Sequence, residues 1–157
     1  MTDRYLAYLD LLGSLRKHLS SLCRLANEKA AAVRGDNLLD LDSIMRQEQA
    51  LSLAFRGLEQ KKNALARELG LESVPLSGLA DRFPADLHLQ AKKTVEELQD
   101  QYKLYLAAAE VARNTLECNL HEIEKFLAAQ DTAGEAGPGY AAPSAQPPEA
   151  MKSDFRA

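Results

Sequence analysis

The stretch "NEKAAAVRGDNLLDLDSIMRQEQAL", residues 27–51, decides the fold. Helix-forming residues run to Val33, Arg34-Gly35-Asp36-Asn37 interrupts them, and Leu41, Ile44 and Leu51 then resume a helical period. Gly35 is the expected left-handed cap of the first helix, because it has no Cβ to clash at positive φ. Asp36 or Asn37 can then accept hydrogen bonds from the free amides that open the next helix. So short a break turns the chain back on itself, and the stretch reads as the tip of an antiparallel helical hairpin. Arg34-Gly35-Asp36 also spells a cell-adhesion tripeptide. With charges throughout the N-terminal stretch where a secretion signal needs an apolar core, it reads as a turn.

Working outward, Tyr5, Tyr8, Leu12, Leu15, Leu19, Leu22, Ala26 and Val33 recur every three or four residues across about 2–34, with Lys29 filling the one gap. Residues 38–69 repeat the pattern with Leu41, Ile44, Leu51, Phe55, Leu58, Leu65 and Leu69. Glu48 and Lys62 fall in that second seam, with stems expected to be buried and charged heads in water. Gly70 closes the second helix. A connector with breakers at Pro75 and Pro84 follows, around one short helical turn at 76–82.

A third helix over about 85–130 carries Ala91, Val95, Leu98, Tyr102, Tyr105, Ala109, Ala112, Leu116, Ile123 and Phe126 on one stripe, widened by Leu106, Leu120 and Leu127. The remainder is rich in Gly, Pro, Ala and Ser and reads as a flexible tail. The expectation is therefore an all-α chain: an antiparallel bundle of three long helices with a short connector helix in a domain of residues 1–130, and a tail at 131–157.

Length adds a functional expectation. At about 1.5 Å per residue the first two helices are each roughly 50 Å long and the third roughly 70 Å, so about 20 Å of the third has no hairpin beside it. The third helix runs toward the Gly35 turn, so the overhang falls at 116–127. Leu116, Leu120, Ile123, Phe126 and Leu127 would lie there with little to cover them, as apolar surface at a partner site does.

Composition excludes much else. The 157 residues carry a net charge of −4 with both signs interspersed and no basic block for nucleic acid. Apolar runs are too short for membrane insertion, and a cytoplasmic location is expected. Cys23 and Cys118 read as two reduced thiols. No phosphate loop, nucleophile elbow or metal-ligand spacing is present in the sequence, and no cofactor is implied. His18 resembles the helical histidine of phosphotransfer domains, yet Ser20-Ser21 stands where those have Lys-Gly. Adjacent carboxylates such as Glu96-Glu97 do not face each other on a helix. No catalytic residue is expected, and the protein reads as a binding protein rather than an enzyme.

Glu28-Lys29, Val33, Gly35-Asp36, Leu41, Ile44, Glu48-Gln49, Leu51 and Leu58-Glu59, followed by Asn114, Leu116, Leu120, Ile123 and Leu127, resemble the spacing of the FlgN family. These are cytoplasmic chaperones of the bacterial flagellar type III export system. The similarity runs over most of Tyr5 to Leu127. It implies binding of the C-terminal helical segments of the hook-filament junction proteins FlgK and FlgL through Asn114, Leu116, Leu120, Ile123 and Leu127, to which the overhang adds Phe126. It also implies docking on the export gate protein FlhA through the tail, where Tyr140 is the counterpart of the family's tyrosine. The competing expectation is a self-associating coiled-coil adaptor, a homodimer through the same face when no client is bound.

Overall fold

The computed structural model describes residues 2–131. Three long helices account for most of them: α1 (Thr2–Arg34), α2 (Leu38–Glu68) and α3 (His88–Asp131). Between α2 and α3 the connector forms three 3-10 turns, Leu76–Gly78, Ala80–Arg82 and Ala85–Leu87, in place of one short helix. Pro75 and Pro84 stand immediately before the first and third of these turns, at their N-caps. Among the described residues there is no strand. The expected tail and Tyr140 lie outside the described residues, apart from Asp131, which ends α3.

The turn after α1 corrects the expectation for Gly35. Asp36, not Gly35, holds the left-handed conformation, at φ 53°. The Asp36 N–H donates to the Val33 carbonyl at 3.2 Å and the Asn37 N–H to the Ala32 carbonyl at 2.9 Å. That is the paired closure of a Schellman motif, which assigns positive φ to the residue whose amide reaches back three positions. Register therefore decides the matter, and Gly35 falls one residue too early. Asp tolerates this conformation better than most side chains. Asn37 then serves both helices. Its Oδ1 accepts from the Asp40 N–H at 3.2 Å and its Nδ2 donates to Asp40 Oδ2 at 2.6 Å, capping the start of α2.

At the far end of α2 the same motif appears with the expected residue. Gly70 has φ 71°, and the Leu71 N–H donates to the Ala66 carbonyl at 2.8 Å. Leu71 and Ala66 are both buried, giving the apolar contact that accompanies this closure.

Packing centres on α1, against which both α2 and α3 lie. Consecutive helices run antiparallel, so α1 and α3 run the same way: Arg16 pairs with Glu97 at 3.7 Å near one level, and Ala26 and Ala30 meet Ala108 and Ala112 at another. With neighbours on two sides, α1 buries more than the predicted stripe. Leu9, Leu25, Ala30 and Ala32 are also inside. The connector seals the end opposite the turn with Leu71, Leu76, Leu79, Phe83 and Leu87. Phe83 stacks obliquely on Tyr5, ring centres 5.0 Å apart, and on Tyr8 at 6.1 Å.

The turn makes a prediction that distinguishes its two residues. Asp36→Val is expected to destabilise the fold by about 1–2 kcal/mol, because a β-branched residue resists positive φ. Gly35→Ala is expected to be tolerated, since a Cβ there would lie 3.5 Å from the Ala31 carbonyl oxygen, an ordinary contact. Thermal melts of both variants check the assignment, and the opposite ranking would return the left-handed position to Gly35.

Candidate interaction site

Toward the turn, the core changes character. Where α1 meets α3, leucine and aromatic packing gives way to Ala26, Ala30, Ala108 and Ala112, with the half-buried Cys23 beside them. Ala112 is the last buried residue of α3. Beyond it, Val33, Arg34 and Asp36 of the hairpin tip face Asn114, Cys118 and Glu122 of α3 across an open cleft. The hairpin thus ends beside the level of Glu122, and roughly 15 Å of α3 continues past it.

This end of α3 carries the expected apolar residues. Leu116, Leu120, Ile123 and Leu127 follow one another at intervals of four, three and four, which keeps them on one face, and Phe126 borders it. Leu116 and Leu120 are half-buried. Ile123, Phe126 and Leu127 are 47, 63 and 52% exposed. Asn114 does not join them. Two positions before Leu116, it points about 200° around the helix from that residue and borders the cleft beside the turn instead.

Sequence reasoning missed Leu38 and Leu39, which are 75 and 87% exposed immediately after the turn, at this same end. The available signal was their position: neither falls on the stripe that Leu41, Ile44 and Leu51 define, so nothing inside the hairpin awaits them.

A polar pair lies level with the alanines, on the side of α1 that faces α2. Lys29 Nζ of α1 lies 2.9 and 3.0 Å from the two carboxylate oxygens of Glu48 of α2. The Glu48 head is therefore held by a cation rather than left in water. Lys62, also expected to reach solvent, is buried with its near neighbour Glu59 on α2. From α3, Tyr105 approaches Glu48. Burial, then the charge of Glu48 and the neighbouring Tyr102, push its phenol from 10 up to about 12.

The remaining candidates do not converge. His18 Nδ1 lies 2.9 Å from the carbonyl of Ser14 on its own helix, and His88 Nδ1 lies 3.0 Å from that of Ala80. His121 is exposed. Among the described residues no three His, Cys, Asp or Glu side chains cluster as metal ligands would, and no helix is long and apolar enough to cross a membrane.

Two measurements follow from this geometry. An unfolded tyrosine ionises near pH 10 and Tyr105 in the fold near 12, so its contribution is intact below pH 10 and is lost as pH rises from 10 to 12. Denaturant midpoints of wild type are expected to fall across that window more steeply than those of Tyr105→Phe, and parallel slopes would acquit Tyr105. Independently, Ile123→Asp/Phe126→Asp is expected to melt within a few degrees of wild type, because neither side chain is in the core. Leu98→Asp/Tyr102→Asp is expected to unfold the protein, since both are buried in the central cluster and would leave carboxylates there unpaired.

Comparison of the chain with protein-family models, with curated proteins and with solved structures finds no match.

Proposed function

We propose that this protein is a cytoplasmic export chaperone of the flagellar type III secretion system, which holds the C-terminal helical segments of FlgK and FlgL against the overhanging face of α3. The observation that carries the proposal is the exposure of Ile123, Phe126 and Leu127 past the end of the hairpin. Covering what remains exposed of each contributes roughly 1 kcal/mol. The resemblance in the residues around the turn and at Leu116, Leu120, Ile123 and Leu127 adds the client's identity.

An amphipathic client helix laid along this face completes a bundle that α3 leaves unfinished, and its own apolar stripe is then withheld from assembly. Binding is the whole of the activity, with no covalent step. Delivery to the export gate, FlhA, falls to the tail that contains Tyr140.

The same exposed face fits a second reading, pairing with another copy of the chain as a structural adaptor. Light scattering of the full chain, alone and with a FlgK or FlgL C-terminal peptide, separates the two. A monomer that takes up one peptide supports the chaperone; a dimer whose mass the peptide leaves unchanged overturns it. In the same titration Ile123→Asp/Phe126→Asp is expected to bind more than about a hundredfold more weakly, because two carboxylates would be buried without partners. Undiminished binding would place the client elsewhere on the helices.

A further inference from the structure

The overhang has edges as well as a face, and one of the edges is a row of carboxylates. Between positions 117 and 131 the sequence holds four carboxylates, Glu117, Glu122, Glu124 and Asp131, against one lysine, Lys125. Glu117, Glu124 and Asp131 recur every seven residues. Each lies at one flank of the face formed by Leu116, Leu120, Ile123 and Leu127, and all three are exposed. Lys125 projects from the opposite side of the helix, two positions away from both Ile123 and Leu127. Arg113 lies 3.9 Å from Glu117, one turn back on the same flank. Glu124 and Asp131 form no ion pair among the described residues.

In paired helices the residues flanking the apolar seam choose the partner, because they meet the partner's flanking residues as the seam closes. A second copy of this helix is a poor occupant in either direction. Laid antiparallel, it sets the row of Glu117, Glu124 and Asp131 against the same row of its twin. Laid parallel, it sets those carboxylates against Asn119 and Phe126, which offer no cation.

We propose, resting on the reading of this face as a client site, that its occupant is an amphipathic helix of another protein whose apolar stripe is bordered by Lys or Arg at seven-residue intervals. The acidic row sets the direction and register of that helix and turns away self-pairing. The apolar face supplies attraction that does not discriminate, and the carboxylates supply the discrimination.

The test uses the full chain and two synthetic helical peptides of three heptads, with identical Leu/Ile seams and with either Lys or Glu at every flanking position. Calorimetric titration at low salt is expected to show the Lys-flanked peptide bound at least about tenfold more tightly, three exposed pairs each adding a small factor. The preference is expected to shrink in about 0.5 M salt, where screening reaches only a few ångströms. It is expected to level or invert in Glu124→Lys/Asp131→Lys. Ile123→Asp/Phe126→Asp should lose the Lys-flanked peptide, which shows that the charges act through this face.

Equal affinities for the two peptides overturn the proposal, as does failure of both to bind. Retention of the Lys-flanked peptide by Ile123→Asp/Phe126→Asp overturns it too, by moving the interaction off α3. The parent reading fails separately. A Lys preference without binding of FlgK or FlgL segments overturns the export assignment alone, and binding of those segments unaffected by Glu124→Lys/Asp131→Lys overturns the charge rule alone.

Discussion

The hydrogen bonds that close the chain at residues 34–37 set the height of everything else. Once the Asn37 N–H has reached back to the Ala32 carbonyl and its side chain has capped α2, neither α1 nor α2 can extend. α3 meets no such stop. It has 44 residues where α1 has 33, and it starts from the sealed end beside the connector, so the surplus emerges at the turn. An unpartnered helix end is thus a consequence of where one Schellman motif falls, and the apolar residues on it give the end its meaning.

The two ends of the molecule are built from different materials. At the connector end, Leu79, Phe83, Tyr8 and Leu12 pack in one continuous cluster that excludes water from the ends of three helices. At the turn end α1 and α3 touch through four alanines. Alanine lets two helices approach closely but buries little area, and fully burying a Leu or Phe contributes roughly 1.5–3 kcal/mol. Stability is therefore concentrated away from the overhang. The turn end can therefore adjust without loosening the rest, which suits the helix binding proposed for it.

The helices and their order were legible in the sequence because each rests on periodicity and length, which tertiary context rarely overrides over thirty residues; the overhang was legible in kind, but it begins near Glu122 rather than at Leu116, and Leu116 and Leu120 are half-buried. Ile123, Phe126 and Leu127 were placed on exposed surface by counting residues alone. What was not legible depended on register or on a third body. Gly35 looked like the left-handed residue because composition favours glycine there; only the hydrogen bonds showed that the position belongs to Asp36. Leu9, Leu25, Ala30 and Ala32 fall outside the single stripe read for α1, yet they are buried because helices pack on two sides of it. Asn114 was grouped with the apolar residues by a sequence pattern, and two residues of helical rotation separate it from them.

The alanine layer raises a question of register. Small side chains interlock weakly, so the alanines alone do not fix how α1 sits along its neighbours. Leu12, Leu15 and Leu19 of α1, locked in the large apolar cluster, set that register, and Lys29 and Glu48 add a directional hold between α1 and α2 near the turn. A one-turn slip, about 5.4 Å, would separate an ammonium from a carboxylate now 2.9 Å away and leave both charges in a partly buried interior. Breaking a buried pair by withdrawing one partner costs about 3–5 kcal/mol. Well-packed apolar residues at those positions could match the stability of the pair while losing its directional hold. The length of α3 left beyond the turn is fixed only if the helices cannot slide. The apolar cluster that α1 shares with α3 therefore sets how much of the apolar face of α3 stands clear, and the Lys29–Glu48 pair holds the two hairpin helices level with each other at that end.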